Sequence, residues 1–138
     1  MPCDFNGLWQ SVQADGTDEL LAALGVTDPN IRAAAKKSIE EIKLVDNSMQ
    51  VAVKADEKVL KETNYFIGQK FEDSDPAGNL WKCVASWKGD VMLVDAKNDE
   101  KGWTLTVTRE IKNNEMIVVR SLTQDGKTIV STGRFQKI

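Results

Sequence analysis

The sequence predicts an all-β fold, closed or nearly closed into a barrel, with a two-helix lid over its mouth. Three observations lead there. A strand-like opening, Phe5-x-Gly7-x-Trp9, runs into a helical stretch around Asp18-x-Leu20-Leu21-x-x-Leu24-Gly25-Val26. Roughly a hundred residues of alternating strands and turns then continue to Ile138. Two hairpin turns in the last third fix strand registers that agree with each other.

The first helix is expected to begin near Thr17, with Asp15 or Thr17 capping free backbone N–H groups, and to stop at Gly25, which tolerates a left-handed helix end. Leu20, Leu21 and Leu24 then share one face. A second helix is expected after Thr27 or Asp28, with Pro29 at its first position, running through Ala33-Ala34-Ala35-Lys36-Lys37. Helices this short do not hold alone in water, so each must pack on the other and on the rim of a sheet.

Asn113-Asn114 and Asp125-Gly126 suit two-residue hairpin loops. The first loop pairs Leu105 with Leu122, Val107 with Arg120 and Arg109 with Val118; the second pairs Arg120 with Ser131, Val118 with Gly133 and Met116 with Phe135. Directly paired residues share a face. One face therefore carries Trp103, Leu105, Val107, Arg109, Met116, Val118, Arg120, Leu122, Ile129, Ser131, Gly133 and Phe135, while Thr104, Thr106, Thr108, Thr132 and Arg134 point the other way. The first is the more apolar and is assigned inward. A hairpin around Gly89-Asp90 likewise puts Trp81, Cys83, Ala85 and Trp87 on one face with Met92 and Val94.

Arg120 stands at the centre of this inward face. An unpaired buried charge costs several kcal/mol. Three readings stay open at this point: Arg120 faces a wet cavity, it meets an anion, or the register is out by one and it lies on the solvated surface.

The composition narrows the function classes. At 138 residues the chain has room for a core without disulfide help, and with no repeat, low-complexity tract or linker, residues 1–138 are expected to form a single domain. The net charge is −3 and the Lys and Arg residues are spread along the chain, which argues against a nucleic-acid partner. There is no histidine, which removes the commonest general base and metal ligand. Cys3 and Cys83 lack metal-ligand spacing and are expected as free thiols. No metal or cofactor is expected. Neither a signal peptide nor a membrane span is legible, so a cytoplasmic location is expected.

The motifs resemble a known family. Phe5-x-Gly7-x-Trp9, the helix pair with Leu24-Gly25-Val26, Phe66-x-Gly68-x-x-Phe71, Trp87-Lys88-Gly89, Arg109-Glu110 and the closing Arg134-Phe135-Gln136-Lys137-Ile138 occur in an order and spacing similar to the intracellular lipid-binding proteins, which include the fatty-acid-binding and cellular retinoid-binding proteins. The resemblance implies a ten-stranded antiparallel β-clam capped by the helix pair, around a cavity that holds a fatty acid or similar hydrophobic ligand. It implies a non-enzymatic carrier, expected to act as a monomer. Retinoid or bile-acid-type binding remains an alternative.

Departures from the family pattern bear on the site. Many members grip a ligand carboxylate with an Arg on the strand before the Arg-Glu pair and an Arg-x-Tyr on the last strand; the matching positions here are Val107, Gly133 and Phe135. The registers put Arg120 beside Val107 and one pair along from Gly133, whose missing side chain would leave room for the guanidinium. Arg120, Val107, Phe135, Ser131, Gly133, Trp103, Leu105 and Val118 are accordingly the candidate ligand contacts, with Trp9 and Cys83 read as core. Arg32, Lys36 and Lys37 form either a solvated face or a transient membrane contact of the lid. A lipid or eicosanoid isomerase on the same fold would need Cys, Lys, Tyr65 or a carboxylate as its base or nucleophile, and no pair stands out. A secreted lipocalin is opposed by the two early helices.

Overall fold

The computed structural model describes residues 3–138. Strand β1 (Gly7–Asp15) leads into helices α1 (Thr17–Leu24) and α2 (Pro29–Lys36). Nine strands follow: β2 (Ile39–Val45), β3 (Ser48–Ala55), β4 (Lys58–Phe66), β5 (Lys70–Ser74), β6 (Leu80–Lys88), β7 (Val91–Asn98), β8 (Trp103–Lys112), β9 (Glu115–Gln124) and β10 (Lys127–Lys137). All pair antiparallel in one ten-stranded sheet of order β4-β3-β2-β1-β10-β9-β8-β7-β6-β5. The all-β, ten-stranded, helix-lidded architecture expected from the sequence is the one observed. Among the described residues no helix is long and apolar enough to cross a membrane.

Turn chemistry set the registers. Asn113, Asn114, Asp125 and Gly126 all adopt positive φ, as tight hairpin loops between right-twisted strands require. Val107 pairs with Arg120, Arg109 with Val118, Arg120 with Ser131 and Val118 with Gly133, the pairings derived from those loops. The Gly89-Asp90 hairpin pairs Ala85 with Val94 and Trp87 with Met92, also as read.

The inward face divides into two packed clusters. At one end Phe5, Trp9, Ile42, Met49, Met92, Met116, Val118 and Phe135 form a close-packed floor. Phe5 stacks on Trp87 with ring centroids 5.9 Å apart, and its carbonyl accepts a 2.8 Å hydrogen bond from the indole N–H of Trp9, so Trp9 is structural. At the other end Leu20, Leu21, Leu24 and Val26 pack on Trp81, Cys83, Ala96 and Leu122. The sequence places one short helix on the sheet through three leucines, and the sheet returns the favour to its polar end: Gln124 donates to the Ala23 carbonyl at 2.7 Å and Asn79 to the Leu24 carbonyl at 2.9 Å. These bonds satisfy orphan carbonyls of the last turn.

Helix α2 is held differently. Asp28 caps it by accepting from the Asn30 N–H, but none of its residues is fully buried. It is tied to α1 through Asp18, which meets Lys36 at 2.7 Å and Arg32 at 3.8 Å. Both basic side chains on this helix thus bind a neighbouring carboxylate, and Lys37 follows as its C-cap.

The cap of α1 differs from expectation. Neither Asp15 nor Thr17 caps it; Gly16 does, at φ 74°. A Cβ there would collide with the Val130 carbonyl oxygen where the chain leaves β1 and crosses β10. Close backbone approach, more than an orphan N–H, decided the residue. Replacing Gly16 by Ala should destabilise the chain by about 1–3 kcal/mol from the left-handed backbone alone, and the carbonyl collision adds to this. Urea denaturation of the two proteins checks it.

Candidate functional site

Between the packed floor and the lid lies an internal cavity of about 290 Å³. Its walls are mostly apolar: Leu20, Leu21 and Leu24 from the lid, Val51 and Val53 from β3, Phe71 from β5, and Val94, Ala96, Leu105 and Val107 from β7 and β8. Tyr65 stacks on Phe71 with centroids 4.5 Å apart and lines the same wall. A wider hollow of about 600 Å³ lies around Val45–Ser48 and Phe66 and shares no residue with this cavity. The interior space is the candidate site because it joins apolar walls to convergent charges.

Those charges are Glu40, Arg109 and Arg120. In β2 the alternation Glu40, Ile42, Leu44 points inward, and Glu40 is 2% exposed. Its Oε1 accepts from Arg109 Nη1 at 2.5 Å, and the same nitrogen lies 3.5 Å from the Met116 sulfur. Arg120 Nη2 is 4.0 Å from the other carboxylate oxygen, outside hydrogen-bond range. Two guanidiniums and one carboxylate leave this cluster with a single positive charge.

The three groups respond to burial in different ways. Burial pushes the Glu40 carboxyl up, but Arg109 and then Arg120 outweigh it and hold the group below the usual glutamate range. Burial works against the Arg109 cation too, and Glu40 more than offsets that. For Arg120, burial comes first and the nearby Arg109 adds to it, so its pKa falls despite Glu40. An arginine nonetheless stays protonated at neutral pH. Arg120 is thus the less compensated cation, and 35% of its side chain is open to the cavity. The open readings for this residue resolve: the register is correct, the side chain faces the cavity, and an anion stands near it, supplied by the chain itself.

The sequence-nominated contacts separate into two groups. Arg120, Val107 and Leu105 line the cavity. Val118 and Phe135 instead belong to the packed floor, and Ser131, paired with Arg120 across β9 and β10, is buried. Trp103 packs against the lid cluster with Lys101 Nζ 4.6 Å from its ring centroid. The space at Gly133 is not used by Arg120, contrary to expectation. The Phe135 ring folds over it, with Cε1 3.1 Å from where a Cβ would sit. Aromatic cover of a strand glycine on the same face fills the gap.

Sequence reasoning passed over Glu40, although period two from Ile42 and Leu44 marked it as inward. Arg109 was read as inward but not as part of a site. Two further groups were also missed at the rim, where Lys61 of β4 meets Asp73 of β5 at 3.0 Å. Cys83 lines the wall, and burial pushes its thiol up to about 11, with Asp73 adding to the rise. A thiol so protonated at neutral pH is a poor nucleophile.

Removing one partner of a buried ion pair strands the other. Arg109→Met should destabilise the fold by about 3–5 kcal/mol at neutral pH. Glu40 has a folded-state pKa below its unfolded value, so its stabilisation is complete above the ordinary glutamate range and drains away as pH falls through the lowered value. The stability gap between parent and Arg109→Met should therefore narrow in acid, as Glu40 protonates. Denaturation midpoints measured from neutral to acid pH check both the size and the trend.

No protein-family model matches the chain. Cellular retinoic acid-binding protein 1 of Gallus gallus is 28% identical over 123 residues, covering 83% of this chain and 87% of that protein. Cellular retinoic acid-binding protein 2 of Rattus norvegicus is 28% identical over 132 residues, covering 93% and 88%. Among solved structures, a mutant of the REP1-NXSQ fatty acid transporter matches with TM-score 0.82 at 22% identity over 98% of each chain. The fatty-acid-binding protein 1 of Echinococcus granulosus matches with TM-score 0.78 at 20% identity over 97% of each. By their names these are binding and carrier proteins. Sequence relatives and structural neighbours agree, and the family this chain resembles along its length is that of the intracellular lipid-binding proteins.

Proposed function

We propose that the chain is a non-enzymatic carrier that takes one long-chain fatty acid, or a similar hydrophobic anion, into its cavity and solubilises it in the cytoplasm as a monomer. The observation that carries this reading is Arg120. Its guanidinium opens onto an apolar cavity and has no hydrogen-bond acceptor within reach among the described residues. A carboxylate brought there on an alkyl chain would meet that cation while the chain displaces water from the walls. The tail supplies roughly 0.8 kcal/mol per buried methylene, and a hydrogen bond to a charged group about 1.5–3 kcal/mol.

Arg120, Val107 and Leu105 are the proposed ligand contacts from the original set, with the lid leucines added. Val118, Phe135, Ser131, Gly133 and Trp103 are proposed to shape the cavity by packing around it, without touching the ligand. A retinoid acid, the ligand class named in the sequence relatives, offers the same combination of apolar body and carboxylate. An isomerase reading finds little support: the chain has no histidine, and Cys83 is held as a neutral thiol.

Uptake is proposed to involve movement of part of the lid. Helix α1 is anchored through three buried leucines and two capped carbonyls, so α2 is proposed as the moving part. The exposed Lys37 at its C-cap is proposed to meet anionic membranes transiently. Lys37→Glu, which leaves both Asp18 pairs intact, should slow ligand transfer to anionic vesicles and leave transfer to neutral vesicles unchanged. Equal rates to both would make Lys37 a plain solvated side chain.

Calorimetric titration of the delipidated protein with saturated fatty acids should give saturable, near one-to-one binding that strengthens with chain length until the cavity is full. Absence of saturable binding to any lipid class would overturn the carrier reading. Arg120→Gln should weaken palmitate by about 1–3 kcal/mol while changing hexadecanol far less. Arg134→Gln is the outward control, since Arg134 is held by Glu115 at 2.9 Å on the outer surface. It should leave both affinities unchanged.

A further inference from the structure

We propose that Glu40 selects the charge of the head group: by neutralising Arg109 it leaves one positive charge at Arg120, so the cavity takes a hydrophobic monoanion in preference to a dianion. This inference rests on the carrier reading and specifies the ligand class for the same site.

The geometry divides labour between the two arginines. Arg109 is spent on Glu40, at 2.5 Å with both side chains under a tenth exposed. Arg120 stands 4.0 Å from the second carboxylate oxygen and keeps 35% of its side chain open. The other acids on the cavity wall are already engaged. Asp73 pairs with Lys61, and Asp75 accepts from the Asn79 amide at 2.9 Å and the Trp81 indole at 3.0 Å. The Glu40–Arg109–Arg120 cluster that an incoming head group meets therefore carries plus one, and Asp75, bonded to neutral donors, adds a negative charge elsewhere on the wall.

Charge scaling then decides which anion fits. The cost of taking an ion out of water grows with the square of its charge. Its attraction to one fixed cation grows only linearly. A dianion gains twice the attraction of a monoanion and loses four times the hydration, so a cluster of plus one rejects it. Without the Glu40 charge the cluster would carry plus two, and the attraction for a dianion would double. Glu40 is thus a specificity-determining residue that works through the cation it leaves uncompensated.

The test uses the delipidated full chain and four amphiphiles of one chain length: palmitate, hexadecyl sulfate, hexadecyl phosphate and hexadecanol. At about pH 8 the sulfate carries one charge and the phosphate nearly two. The parent protein should bind the sulfate at least about tenfold more tightly than the phosphate, and Glu40→Gln should shift that ratio at least about tenfold toward the phosphate. An unchanged ratio in Glu40→Gln overturns the inference while palmitate binding by the parent keeps the carrier reading intact. If the parent binds none of the four, the carrier reading itself fails, and this inference with it. Should Glu40→Gln not fold, the double variant Glu40→Gln/Arg109→Gln removes the pair together and returns the cluster to plus one. It should prefer the sulfate; loss of that preference overturns the inference. A purely structural Glu40 would move stability and leave the sulfate-to-phosphate ratio where it is.

Discussion

A sheet of ten strands curled on itself encloses more room than its inward side chains fill, and the rest of this structure follows from that constraint. About eight strands are needed before the interior is wide enough for side chains to meet across it; beyond that number the middle stays open. Here the ends are closed by different means. Large side chains such as Phe5, Met116 and Phe135 fill the floor, and a helix pair laid across the opposite end supplies three leucines. The space between cannot be filled from either side, which is why inward residues at its wall, among them Leu105, Val107 and Arg120, remain only half-buried.

An open interior changes what charge inside a protein costs. In a close-packed core Glu40, Arg109 and Arg120 would each have to be fully satisfied by fixed partners. Beside a cavity only the two deepest groups, Glu40 and Arg109, are matched closely, and the third can face space that a ligand enters. The polar cluster and the hollow are parts of one solution. The hollow gives the spare cation somewhere to point.

Much of this was legible in the sequence, and the rest was hidden for identifiable reasons. Asn113-Asn114 and Asp125-Gly126 are local chemistry, so the registers of β8, β9 and β10 followed directly, and with them the inward placing of Arg120. Glu40 was also legible in principle, since Ile42 and Leu44 share its parity. The Glu40-Glu41 doublet obscured it, because two adjacent acids read as a solvated stretch until the face is assigned. The Gly16 cap depends on a contact with Val130, far away in sequence, which no local pattern carries, and the Phe135 ring covers Gly133 from two residues along the same strand through a side-chain direction that the pattern leaves open. The same holds for the cavity boundary: whether Val118 or Val107 touches open space is set by the curvature of the whole sheet.

The strand order also leaves β4 and β5 as its two edges, bridged by the Lys61–Asp73 pair. Every sheet edge is a row of backbone donors and acceptors able to accept a strand from another molecule. β4 carries Lys58, Lys61 and Glu62, and β5 carries Lys70, Glu72 and Asp73, so an approaching strand would have to strip water from charges along both edges. The side chains that border this seam, which a fully hydrogen-bonded barrel would not have, thus raise the cost of adding a strand from another copy to either edge.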